Sequence, residues 1–211
     1  NDEEVLALLE RGNHDLGVLG FTDHSTAHTA LVADRAANIL QRLGYDEQTQ
    51  QLARIAGFMH DIGNAVNRSR HGEYGAILAY DILKKYDMPL ADRMIVVSAI
   101  GNHDESTGGA KDPVSAAVIL ADKSDVRRNR VRTTDREKFD IHDRVNYSVK
   151  KAELKINEER TLIKLKLSVD TRYGSVMDYF EIFMGRMLLC RKASETLGLQ
   201  FKLMINKQQL L

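Results

Sequence analysis

The spacing of apolar residues changes once along this chain, near residue 146, and that change limits what it can fold into. Before it, apolar residues recur at three- and four-residue steps, the period of an amphipathic helix. His28, Leu31, Val32, Ile39, Leu40 and Leu43 form one stripe, closed by Gly44. Leu52, Ile55, Ala56 and Met59 form a second, running into His60-Asp61. Gly75, Leu78, Ala79, Ile82, Leu83 and Tyr86 form a third, ending before Pro89, and Val96, Ala99, Ile100 and His103 share a face of a fourth. Asp112-Pro113 is a start signal, with Asp as N-cap and Pro at the first helical position. Val114, Val118, Ala121 and Asp122 lie together on the helix that follows.

After residue 146 the period becomes two. Ala152, Leu154 and Ile156 alternate with lysines and a glutamate. A turn over Asn157 to Arg160 follows, and Ile163, Leu165, Leu167 and Val169 alternate again. This is an amphipathic β-hairpin. Val176, Phe180, Phe183, Met184, Met187 and Leu188 return to helical spacing, and Leu199, Phe201, Leu203 and Ile205 alternate once more. The pattern predicts an α+β chain: an all-helical domain over residues 1–146 and a ββαβ subdomain over 147–211. A basic, loop-like stretch from Arg127 to Arg144 joins them.

Composition narrows the function. With 211 residues, 43% of them hydrophobic, the chain can bury one sizeable core. Thirty acidic and thirty basic residues cancel, so nothing in the balance argues for a nucleic-acid-binding domain, while local basic patches stay open. The lysines on the hairpin's polar face read as a solvated surface, since no aromatic residue interleaves with them. The single cysteine, Cys190, cannot form an internal disulfide and lies in an apolar helical stretch, so it reads as a buried structural thiol. No apolar run is long enough to span a bilayer and the first residues are acidic, so the expectation is a soluble, cytoplasmic protein.

The chemistry lies in the histidines and aspartates of the helical part. His60-Asp61 is an adjacent pair that can reach one divalent ion through nitrogen and oxygen. His28, His71, His103 and Asp122 fall at helical positions on either side of it. Each alone has a bland explanation; a single histidine on an apolar face is usually a core residue bonded to a carbonyl. Asp122 is harder to dismiss, because a carboxylate at the end of Ala117-Val118-Ile119-Leu120-Ala121 is costly to bury without a partner or a metal. Together the six make a candidate two-metal site. Imidazole and carboxylate suit iron, manganese or zinc better than magnesium. Asp61 can bridge two ions, with a hydroxide between them as the nucleophile.

The order His28, His60-Asp61, Asp122, each on its own helix, resembles the HD-domain metal-dependent phosphohydrolases over roughly residues 20 to 130. His71, in His71-Gly72-Glu73-Tyr74-Gly75-Ala76, and His103, in Ala99-Ile100-Gly101-Asn102-His103, resemble the binuclear branch, in which two such histidines hold the second metal. The spacing is similar to HD-type hydrolases that split diadenosine tetraphosphate symmetrically and often carry iron. The resemblance implies a phosphohydrolase with two divalent ions, iron first among them, acting on an anionic, nucleotide-like phosphate ester or anhydride. The chain departs from the family in places. Asn64 stands where many members have a lysine after His-Asp-Ile-Gly. The Gly-Tyr-Pro signature of cyclic-di-GMP phosphodiesterases is absent after His103, and so is the Glu-Asp pair of (p)ppGpp hydrolases.

Residues beside the ligands are candidates for substrate contact: Asn64, Arg70, Asn102, Lys123 and Arg127, with His24 as a further residue at the helix entry. Arginine offers a bidentate fork to phosphate and lysine a point charge. The ββαβ tail is a candidate for covering the site, for homodimerisation or for binding an effector. Two other function classes stay open. Some HD proteins with similar ligands are di-iron oxygenases. An HD core can also serve as a ligand-sensing or interaction module.

Overall fold

The computed structural model describes residues 2–133, 135, 137 and 139–210. Its first part is a helical bundle: α1 (Glu3–Val18), α2 (Thr26–Leu43), α3 (Glu47–Met59), α4 (His71–Lys85), α5 (Leu90–Gly101) and α6 (Pro113–Lys123). A short 3-10 turn over Ile62–Ala65 separates α3 from α4. The helices begin where side-chain acceptors are available. Asp2, Asp46 and Asp112 each accept from a backbone N–H in the first turn, and Asp112 forms a capping box with Ser115. Gly44, at φ 87°, ends α2 in the left-handed conformation that costs glycine nothing.

The central element is α6. Every residue from Val114 to Ala121 is buried, because α2, α3, α5 and α8 pack around it. A helix apolar on all sides is stable only when enclosed in this way. Its C-terminus, with Asp122 and Lys123, therefore ends inside the protein. Arg35 of α2 donates to the Ala121 carbonyl and to the Ser124 hydroxyl, meeting the negative end of α6 with a cation.

Two glycines set the packing around the site. A Cβ on Gly57 would lie 2.9 Å from Ala33 Cα, so α3 and α2 meet backbone to backbone. A Cβ on Gly63 would lie 1.9 Å from the His71 carbonyl oxygen and 2.4 Å from Gly75 N. The 3-10 turn thus sits directly against the start of α4.

The second part comprises α7 (Ile141–Ser148), β1 (Val149–Ile156), β2 (Leu162–Val169), α8 (Val176–Thr196), β3 (Gln200–Ile205) and β4 (Gln208–Gln209). Sheet order is β1-β2-β3-β4. The hairpin pairs Leu154 with Leu165, α8 crosses over, and β3 runs parallel to β2 with Leu203 beside Leu165. The expected ββαβ unit is present, extended by the two-residue β4. The Arg127–Arg144 stretch differs from expectation. It holds a 3-10 turn over Arg128–Arg130, and its end enters α7, which Asp140 caps. A short helix whose apolar contribution is little more than Ile141 and Val145 leaves almost no periodic signal. Thr134, Arg136 and Lys138 of this stretch lie outside the described residues. One core runs through both parts. Val118 and Leu120 of α6 belong to the same apolar cluster as Phe183 and Met187 of α8 and Leu165 and Leu203 of the sheet.

Candidate metal centre

All six proposed ligands converge. His28 Nε2 lies 3.4 Å from Asp122 Oδ1 and 3.9 Å from Asp61 Oδ2. His60 Nε2 lies 3.3 Å from Asp61 Oδ2 and 3.7 Å from Asp122 Oδ1. On the other side, His71 Nε2 is 3.6 Å from Asp61 Oδ1 and 3.1 Å from His103 Nε2. Asp61 therefore turns one carboxylate oxygen toward each set. Separations of this size are the edges expected between ligands that each stand about 2.0–2.2 Å from a shared ion.

The outer nitrogens show what the inner ones do. His60 Nδ1 donates to the Gly57 carbonyl at 2.8 Å, His71 Nδ1 to Arg68 at 3.1 Å and His103 Nδ1 to Ile100 at 2.6 Å. His28 Nδ1 donates to Asp125 Oδ2 at 2.8 Å. Since Nδ1 carries the proton in each neutral ring, every Nε2 presents a lone pair to the centre. Two facing lone pairs, such as those of His71 and His103, repel unless a cation lies beside them. His28 Nε2, His60 Nε2 and Asp61 Oδ2 are buried without a hydrogen-bond partner among the described residues. Orphaned atoms of this kind are expensive unless an ion satisfies them. On these grounds the donor set fits divalent metal.

Electrostatics point the same way. Burial alone would raise the Asp61 carboxyl, but His60, His24 and His71 around it hold it well below the usual carboxylate range. Asp122 is likewise penalised by burial and held low by Lys123, His28 and His60. Burial, with His71 and His60 alongside, brings His103 down to about 3, so it is neutral and ready to ligate at ordinary pH. Burial lowers His71 and His24 too. His60 is the exception. Burial pulls it down, but Asp61 and Asp122 outweigh that and raise it. A proton on His60 and a cation in the site compete for the same two carboxylates.

The candidate substrate residues separate into two groups. Lys123 lines the cavity, with Nζ 2.9 Å from Asp122 Oδ2 and 2.7 Å from Glu105 Oε2. His24 also lines it, although α2 starts only at Thr26; its Nδ1 is tied to the Thr22 carbonyl. The other four do not line it. Asn64 is buried behind Asp61, donating to its Oδ1 at 2.8 Å, so it orients the Asp61 carboxylate. Arg70 points outward and pairs with Glu73. Asn102 turns back to the Ser98 carbonyl at the end of α5. Arg127 clamps Asp125, the anchor of His28.

In their place the cavity wall contains Arg68, Arg130 and Arg186. Arg68 is three residues before His71, one helical turn away, which is a readable signal. Asp125, three residues after Asp122, carries a similar one. Arg130 is marked only by its place in the basic run that follows Asp122, which does not say which arginine turns inward. Arg186 is a lone cation inside the apolar run Phe183-Met184-Gly185-Arg186-Met187-Leu188, and that isolation is its only trace in sequence.

Comparison with known proteins gives the family. The family model for the HD domain matches residues 26–136. The uncharacterized protein MJ1020 of Methanocaldococcus jannaschii is 31% identical over 170 residues, covering 70% of this chain and 65% of that protein. Ribonuclease Y of Clostridium botulinum is 32% identical over 136 residues, 59% of this chain and 24% of that enzyme. Ribonuclease Y of Mycoplasma capricolum is 31% identical over 102 residues, 48% of this chain and 18% of that enzyme. The chain thus spans less than two thirds of the length of each of these relatives. Among solved structures, a predicted HD superfamily hydrolase from an uncultured Thermotogales bacterium aligns with a TM-score of 0.47 at 25% identity, over 59% of this chain and 68% of that one.

Proposed function

This chain belongs to the HD domain family, and from that membership and the geometry of its centre we propose that it is a binuclear, metal-dependent phosphohydrolase. Its substrate would be a phosphate ester or anhydride, a nucleotide first among them. The observation that carries the reading is Asp61, whose two oxygens face two separate histidine sets while its Oδ2 has no hydrogen-bond partner among the described residues. The relatives named ribonuclease Y, matched over a small part of their length, support phosphate-ester chemistry and leave the kind of ester open.

His28, His60 and Asp122 would hold one ion, His71 and His103 the other, and Asp61 both. Divalent ions bound there would act as Lewis acids on a phosphoryl oxygen and acidify a water. The chain's own groups supply the rest. Asn64 keeps the Asp61 carboxylate in its bridging orientation. Lys123, held in place by Asp122 and Glu105, offers its remaining N–H to a phosphate oxygen. The imidazole and carboxylate ligands suit iron, manganese or zinc, and iron is placed first on the family resemblance alone.

The test is elemental analysis of protein purified without oxygen or added metal, followed by phosphate-release and oxygen-uptake assays. About two ions per chain are expected, with phosphate released anaerobically. Asp61→Ala should lose both metal and turnover. A chain that takes up no more than one ion, or that consumes oxygen and releases no phosphate, would contradict the reading.

A further inference from the structure

Three arginines that no ligand motif includes stand around the metal centre. Arg68 comes from the segment before α4, Arg130 from the 3-10 turn after α6, and Arg186 from α8 in the C-terminal part. Their partners show how much charge they bring. Arg130 is buried, and its Nε and Nη1 donate to the carbonyls of Asp23 and Asp125, both at 2.9 Å. Arg68 Nη1 donates to the Asn64 side chain at 3.3 Å and lies 3.4 Å from His71 Nε2. Neither lies within ion-pair distance of a carboxylate among the described residues, although the carboxylates of Asp125, Asp122 and Asp61 surround the buried charge of Arg130.

Arg186 is differently held. Its Nε donates to Glu105 Oε1 at 3.0 Å, and the other oxygen of Glu105 takes Lys123 at 2.7 Å. Its guanidinium packs on the Phe183 ring, 4.7 Å from the centroid. Glu105 and Phe183 thus fix the plane of the guanidinium. Among the described residues its two terminal nitrogens have no protein acceptor. A planar fork with both arms free, beside a lysine, is the arrangement that grips phosphate oxygens in pairs. These side chains close around a small polar cavity that Asp61, His71, His103 and Asp122 also line.

We propose, resting on the phosphohydrolase reading, that Arg186 completes a cationic clamp with Arg68, Arg130 and Lys123 that selects a terminal, dianionic phosphate over an internal phosphodiester. The donor count matches: a terminal phosphate offers three non-bridging oxygens to the Arg186 fork and Lys123, and an internal diester offers two. The C-terminal unit is then part of the substrate site.

The experiment uses the full chain loaded with manganese. Inorganic phosphate binding is followed by calorimetry. kcat/KM is measured on p-nitrophenyl phosphate and on bis-p-nitrophenyl phosphate. Arg186→Met, which keeps packing on Phe183 but removes the fork, should weaken phosphate binding and monoester kcat/KM by roughly tenfold to a hundredfold, the usual effect of losing charge-assisted hydrogen bonds. Diester kcat/KM should fall less than monoester kcat/KM, so the preference for the monoester narrows. Arg186→Lys should recover monoester activity only in part. Wild-type preference for the diester, or unchanged phosphate affinity in a folded Arg186→Met, would overturn the clamp. If Arg186→Met does not fold, Arg186→Lys decides: wild-type affinity and preference in that variant would also overturn it. Phosphate binding that depends on Arg186, with neither ester hydrolysed, would sink the hydrolase reading and leave the clamp standing.

Discussion

At the residue scale the centre is organised by what stands behind each ligand. His28 is held by Asp125, which is itself held by Arg127 and by the fold around it. This buried carboxylate fixes the imidazole tautomer and strengthens its lone pair. Asp125→Ala should therefore lower metal affinity by about 10- to 100-fold while leaving all six ligands in place. Competition with a fluorescent chelator would measure this, and wild-type affinity in a folded variant would show that Asp125 does not support the ligand. The six proposed ligands were conspicuous in sequence for different reasons: His28, His103 and Asp122 as polar residues on apolar faces, His60-Asp61 as an adjacent pair at a helix end, and His71 at a helix start with no apolar neighbour. Their supports were less legible. Asn64, Asn102, Arg70 and Arg127 were conspicuous by adjacency to ligands, but adjacency in a chain does not give direction. Arg70 has φ 61° at the entry to α4 and its side chain leaves the site, while Arg68, one turn before His71, enters it. Cys190 was read correctly as inert: burial pushes its thiol up to about 12.

At the element scale the 3-10 turn after His60-Asp61 is the most sensitive piece. Gly63 lets its backbone touch the His71 carbonyl, so one close contact sets the distance between the two halves of the ligand set. Gly63→Ala would drive a methyl into backbone that cannot rotate away. The expected cost is about 3 kcal/mol or more, above the range of ordinary overpacking. Thermal unfolding should show a fall in Tm or loss of soluble protein, and an unchanged Tm would mean that α4 can shift without penalty. The periodic helices α2 to α6 and the hairpin were all readable from spacing. Helix α1 was readable in principle, since Val5, Leu9, Gly12 and Leu16 share a buried face after the Asp2 cap. Its contribution to the site was not readable. Gly12 lies against Asn64, so α1 backs the residue that orients Asp61.

At the scale of the whole molecule, the two parts distinguished by period share one core. α8 covers α6, and Arg186 reaches the centre from it. Removing residues 149–211 should expose apolar surface of α6 and yield aggregated or unfolded protein, as expected when a core is opened along a central helix. Gel filtration and circular dichroism of residues 2–148 would check this, and a folded, metal-binding monomer would show that the helical part stands alone. No helix among the described residues is long and apolar enough to cross a membrane. What the sequence by itself determined is local and periodic: which segments are helices or strands, where caps stop them, and which histidines and aspartates sit on faces that ought to be apolar. Those follow from covalent spacing and the cost of burying polar groups. Only the tertiary structure decided which oxygen of Asp61 faces which histidines, which arginines line the cavity, and that a helix from the C-terminal third closes it. The reason is physical: side-chain direction and contacts across more than a hundred residues depend on how helices cross, and a period along the chain carries no record of that.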